Sequence, residues 1–176
     1  HFRLDITLDD EPQAAEITLT GDNTYVLWVN GAQAINSRDW KKPVSRDVSG
    51  ALHKGDNILA IDINNPADGP AGMYVIGYIE TATGRIDITG STQWQWSTEP
   101  SDHWKTTPPE PDRWSPAVVI GDFDMPPWSL GINPESTRRL VPITPPTDWQ
   151  AWRKRVRAES AELDKPADPP GDPNHH

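Results

Sequence analysis

From position 2 to position 8 apolar and polar residues alternate without a break. Phe2, Leu4, Ile6 and Leu8 fall on one side, Arg3, Asp5 and Thr7 on the other. A period of two marks a strand with one buried face. Ala15, Ile17 and Leu19 repeat the pattern, and Gly21-Asp22-Asn23 then turns the chain into TYVLWVNG. Asn30-Gly31 is a hairpin signal, because both residues tolerate the positive φ of a type I′ turn. Further strands are predicted over 32–35, 44–48, 58–63, 73–80, 85–89 and 117–120, with Gly55-Asp56 and Thr83-Gly84 as turns. Short strands at this spacing with no long helix between them predict an all-β fold, an antiparallel β-sandwich of jelly-roll type, over residues 1–131.

The stretch from Trp94 to Trp128 has little regular pattern. Its TTPPEPD segment cannot join a central ladder, so it is expected to cross the surface of the sandwich. Residues 132–164 read as an extension with a short C-terminal helix. Asp148 caps it, Trp149, Trp152 and Val156 share the face that packs on the sandwich, and Arg153, Lys154, Arg155 and Arg157 point outward. Residues 165–176 are Pro, Asp and Gly-rich and read as a disordered linker, with His175 and His176 as part of a purification tag. His1 reads as a cloning remnant, and the abrupt start on a strand reads as a piece of something longer.

Composition narrows the chemistry. A net charge of -10 argues against nucleic acid, which requires a basic face. No apolar run approaches the roughly 18 residues of a membrane span. The absence of cysteine removes disulfides, thiolate zinc sites and cysteine nucleophiles. Nine tryptophans in a β-protein serve two ends: filling a sheet-on-sheet core, and stacking on a flat ligand face such as a sugar ring.

The run GDNTYVLWVNGAQA, followed by Trp40, Asp47-Val48, HKGDNILAIDINN and AGMYVIGYIE, resembles the galactose-binding-domain-like β-sandwich. GSTQWQWS, DRWSPAVVIGDF and MPPWSLG look like that family's closing strands, which makes Trp114 and Trp128 structural. Such modules accompany glycoside hydrolases, including β-galactosidase-type and α-L-rhamnosidase families. They also occur in multidomain proteins of planctomycete-type bacteria beside redox domains. The most specific parts are the VNG hairpin and Leu52, Gly55 and Asn57 in an L-x-x-G-x-N strand entry. These are fold signals, and a fold hosts many functions. Where the family often carries an acid three positions before the tryptophan of QWQ, this chain has Ser91, so no role for that acid transfers.

Strand direction brings the loops at 21–24, 36–43, 64–71 and after Gly90 to one edge. They carry Asp22, Asn23, Trp40, Asn64, Asn65 and Asp68, with Trp104 as a further aromatic in a polar, breaker-rich loop. Aromatics beside amides and carboxylates suit a sugar: the ring's C–H face stacks and its hydroxyls hydrogen-bond. Turn formation accounts for Asn64, Asn65 and Asp68 equally well. A tryptophan in the loop of Trp40 or of Trp104 has no core to fill unless that loop folds back. The expectation is a non-catalytic carbohydrate-binding module of an exported protein, with a carbohydrate ligand and neighbouring domains as partners. The alternatives are a structural domain bracing a catalytic or redox neighbour and, more distantly, a small carboxylate hydrolase. No His-x-x-x-His pair, Gly-x-Ser-x-Gly elbow or phosphate loop is present. No cofactor is expected, although related sandwiches often hold a structural calcium. Asp9, Asp10, Glu11, Asp22 and Asn23 offer oxygens for one, and turn or solvation roles explain the same residues.

Overall fold

The computed structural model describes residues 1–66 and 72–121. Asp68, Trp128, Trp149 and Trp152 fall outside these residues, as do the expected extension and tail. Ten strands follow one another: β1 (Phe2–Leu8), β2 (Pro12–Gly21), β3 (Thr24–Val29), β4 (Ala32–Ser37), β5 (Val44–Asp47), β6 (Gly55–Asn64), β7 (Met73–Thr81), β8 (Gly84–Thr89), β9 (Gln95–Trp96) and β10 (Ser115–Pro116). They form two antiparallel sheets, one of six strands in the order β10-β9-β1-β6-β3-β4, the other of four in the order β5-β2-β7-β8. The described residues are thus an all-β sandwich, as the alternation predicted. Among them no helix is long and apolar enough to cross a membrane.

The core lies between the sheets. Leu4 and Leu8 of β1, Ile17 and Leu19 of β2, Tyr25, Leu27 and Val29 of β3, Leu59 and Ile61 of β6, and Val75 and Ile79 of β7 are all buried in one cluster. Asn30 and Gly31 take φ of 52° and 80°, the left-handed values that their hairpin demands. Leu52 closes the lower end, and Asn57 behind it ties the turn: its amide donates to the His53 and Gly55 carbonyls while its oxygen accepts from the His53 N–H. At Gly77 the strands β7 and β2 approach so closely that a Cβ would stand 2.3 Å from the Glu16 carbonyl oxygen.

The larger sheet is covered on its outer face too. The segment 97–114 folds back across it, as the proline-rich run suggested. Trp104 and Trp114 pack there against Trp28, Ile58 and Ala60. Arg3, fully buried, fixes the segment from below. Its guanidinium pairs with the Asp5 carboxylate at 2.5 Å and donates to the backbone carbonyls of Trp104, at 2.5 Å, and of Thr107.

One predicted strand is corrected. Residues 117–120 are not a strand, and Val118, Val119 and Ile120 are exposed. The Ala117 N–H donates to the Trp94 carbonyl at 2.7 Å, and pairing ends there. Ahead of Trp94 the partner chain turns, with the Trp94 N–H bonded to Ser91, so no further ladder is offered. Among the described residues the short β10 therefore forms the edge of the sheet, with Pro116 in it.

Candidate functional site

The register gathers the predicted loops at one end of the sandwich. Thr24 stands opposite Asn64, Gly21 opposite Met73, Leu19 opposite Val44 and Tyr25 opposite Ser37. Three connections therefore cross between the sheets side by side, β4 to β5, β2 to β3 and β6 to β7. They carry Trp40, then Asp22 and Asn23, then Asn64 and Asn65.

Backbone and side-chain bonds knit the second and third connections together. The Asp22 N–H donates to the Gly72 carbonyl and the Asn23 N–H to the Asn64 carbonyl, each at 3.1 Å. The Asn23 amide reaches the Asn65 side-chain oxygen at 2.9 Å. Asp22 and Asn23, joined by a cis peptide, are half-buried, and Asn64 is exposed.

The connection carrying Trp40 is a tight turn. Lys42 N–H donates to the Asp39 carbonyl at 3.2 Å, and the Asp39 carboxylate accepts from the Lys41 N–H at 3.0 Å. Two core residues hold the turn down. The hydroxyl of Thr20, wholly buried, donates to the Trp40 carbonyl at 2.6 Å, and the Tyr25 hydroxyl donates to the Lys42 carbonyl at 3.1 Å. Burial pushes the Tyr25 phenol above its ordinary pKa, which keeps this donor protonated. The Trp40 indole itself is half-buried, with the Lys41 ammonium 5.5 Å from its ring centre. A fixed backbone under a partly open indole is the arrangement a stacking contact needs, because little order is lost on binding.

Trp104 is not part of this group. It is 5% exposed, in edge contact with Trp28 and His1 at centroid distances of 6.5 and 5.2 Å, and tilted against Trp114 at 5.7 Å. Its loop does fold back, and it fills a second small core. Lys105 covers the same cluster, its ammonium 3.6 Å from the Trp28 ring centre. His1 Nδ1 meets Asp62 at 2.8 Å, and that hydrogen bond holds the Asp62 carboxyl below the usual carboxylate range.

The calcium candidates divide between the two ends. Asp9, Asp10 and Glu11 lie in the turn between β1 and β2, at the end away from Trp40, where Asp10 approaches Lys54 at 4.0 Å. Among the described residues no three His, Cys, Asp or Glu side chains gather into a group fit to hold a metal ion. At the Trp40 end, the Asn23 side-chain nitrogen donates to the Asn65 side-chain oxygen.

With this geometry in view, the likeness to known proteins takes on meaning. No protein-family model matches the chain. Over 134 residues it is 29% identical to an α-L-rhamnosidase of Streptomyces avermitilis, covering 72% of this chain and 13% of the enzyme. The crystal structure of Streptomyces avermitilis α-L-rhamnosidase complexed with L-rhamnose aligns at a TM-score of 0.63, over 72% of this chain and 13% of that one. A lectin from Pleurotus ostreatus, solved with GalNAc, shares the fold at a TM-score of 0.66 and 23% identity, over 74% of this chain and 39% of the lectin. The α-L-rhamnosidase of Aspergillus terreus does so at 0.59 and 15%, over 70% and 19% of the two chains. The chain is a β-sandwich resembling one part of α-L-rhamnosidases, and it spans about an eighth of the length of the curated relative it matches.

Proposed function

We propose that the chain is a non-catalytic carbohydrate-binding module of the galactose-binding-like kind, taking a sugar at the edge built by Trp40, Asp22, Asn23, Asn64 and Asn65. One observation carries this reading: the turn bearing Trp40 is pinned to the core by Thr20 and Tyr25 while its indole stays partly open. The amides and carboxylate beside it supply donors and acceptors for hydroxyls. Likeness to a small part of an α-L-rhamnosidase supports an accessory role, and likeness in fold to a lectin solved with GalNAc supports a sugar ligand. Asp68 belongs to the proposal by its place in the chain. Trp104 acts in it only as packing. A parent protein exported from the cell would suit such a ligand.

Affinity electrophoresis against neutral plant and algal polysaccharides tests the reading. Retardation that Trp40→Ala removes supports it. Silence across a broad panel overturns it, and release of products would replace it with an enzyme. A second reading, a brace for a neighbouring domain, draws on the exposed apolar run Val118, Val119 and Ile120. Surfaces of that kind serve as contacts between domains.

A further inference from the structure

Among the described residues six strands face four, so the larger sheet has two strands more than its partner. The register places Trp96 of β9 directly opposite Phe2, and directly opposed residues point to the same side of a sheet. Phe2 packs against the core. Trp96 shares its side yet is 41% exposed, the most open of the described large aromatics. At this margin a residue turned toward the core side meets solvent instead.

Around Trp96 lies an open cleft of about 380 Å³, lined also by Ser97, Glu99, Asp112, Arg113 and Ser115. That volume falls at the low end of small-ligand sites, which run from about 300 to 1,000 Å³. Arg113 is held in place, its Nε 2.7 Å from the Glu110 carboxylate and its Nη1 donating to the Glu99 carbonyl at 3.2 Å. The other guanidinium nitrogen and the Asp112 carboxylate have no partner among the described residues. An aromatic face, a fixed multiple donor and a free carboxylate thus converge on one opening.

We propose that the Trp96 cleft is a second glycan-contact site, which stacks a neutral pyranose on the indole while Arg113 and Asp112 bond its hydroxyls. The proposal rests on the reading of the chain as a carbohydrate binder. Neutral sugars are indicated because Glu99 and Asp112 would repel a uronate. Four strand spacings separate β9 from β4, where the Trp40 turn begins, or roughly 20 Å at about 4.8 Å each. Phe2 also pairs with Ile61, near the end of β6 that leads into the Trp40 edge, so the two contacts lie toward one end of the sandwich. A glycan several residues long therefore reaches both, and the second contact forms at high local concentration.

Calorimetry on the whole chain separates the possibilities, with L-rhamnose, N-acetylgalactosamine and neutral polysaccharides as probes. The expected result is two monosaccharide sites in the unaltered chain and one in either Trp40→Ala or Trp96→Ala. Trp96→Ala should also weaken polysaccharide binding about tenfold. Trp96→Tyr, which keeps a stacking face, should stay within about threefold of the original. Asp112→Asn, at an exposed position, should lower affinity severalfold with an unchanged melting temperature. If Trp40→Ala removes all binding while Trp96→Ala and Asp112→Asn bind as the original does, the cleft is not a site and the Trp40 reading stands. If the unaltered chain binds no glycan, both fall.

Discussion

The Thr20 hydroxyl in β2 and the Trp40 carbonyl in the turn between β4 and β5 are joined by a 2.6 Å hydrogen bond from the sandwich interior to its edge. The bond makes the position of a half-open indole a property of the core. Thr20→Val keeps the shape and removes the donor. Stability should fall by about 1 kcal/mol, the net worth of one such bond. Sugar affinity should fall severalfold, less than for Trp40→Ala, and paired melting and titration curves measure both.

Trp40 and Trp104 should behave oppositely on truncation. Trp40→Ala is expected to cost binding roughly tenfold or more, a factor of ten being 1.4 kcal/mol, with a nearly unchanged melting temperature. Trp104→Ala empties the second core and should destabilise by about 3–5 kcal/mol. Denaturant unfolding of the two variants decides. Loss of affinity in a fully stable Trp104→Ala protein would return that residue to the ligand.

Gly77→Ala should be poorly tolerated. Its Cβ would meet the backbone of β2, at 2.3 Å from the Glu16 oxygen and 3.0 Å from the Ile17 Cα, and neither can swing aside. A loss of about 1–3 kcal/mol or more is expected from such overpacking. Thermal unfolding of the purified variant measures it.

Acid should loosen the cover over the larger sheet. The hydrogen bond from His1 lowers the Asp62 pKa, with the charges of His1 and Lys105 adding to it against burial. A group with a depressed folded pKa contributes stability above its unfolded value, near 3.9, and loses that contribution as pH falls through the folded value. Melting temperature should therefore fall more steeply below about pH 4 in the original chain than in Asp62→Asn. Equal slopes would show that the contact contributes nothing.

Much of this was legible in the sequence, for a physical reason. Where one face is apolar and the other carries only polar side chains, as Arg3, Asp5 and Thr7 do in β1, period two survives in the residues and the strand can be read to its ends. Where both faces are covered the alternation blurs. TYVLWV and NILAIDIN carry apolar residues at both parities, Val26 and Trp28 in one, Ile58 and Ala60 in the other. That is the mark of a strand packed on two sides. It was the available sign that something must lie over the outer face, where Trp104 was found. The Trp96 cleft left no comparable sign, because it depends on the unequal widths of two sheets, which no local pattern encodes. The Trp40 edge followed from strand direction, whereas its anchoring by Thr20 and Tyr25 needed coordinates.

The edge that β10 forms among the described residues has a consequence for how copies of this protein meet. Ala117 turns its N–H inward to Trp94, so by alternation the backbone nitrogen at position 116 faces outward, where a strand from another molecule would add. Proline there offers no hydrogen to such a strand. The run that follows, Val118, Val119 and Ile120, is exposed and made of β-forming side chains, which favour edge-to-edge pairing. One imino acid beside it acts as a gatekeeper, and Pro116→Val would leave the fold intact while making concentrated solutions prone to cloud.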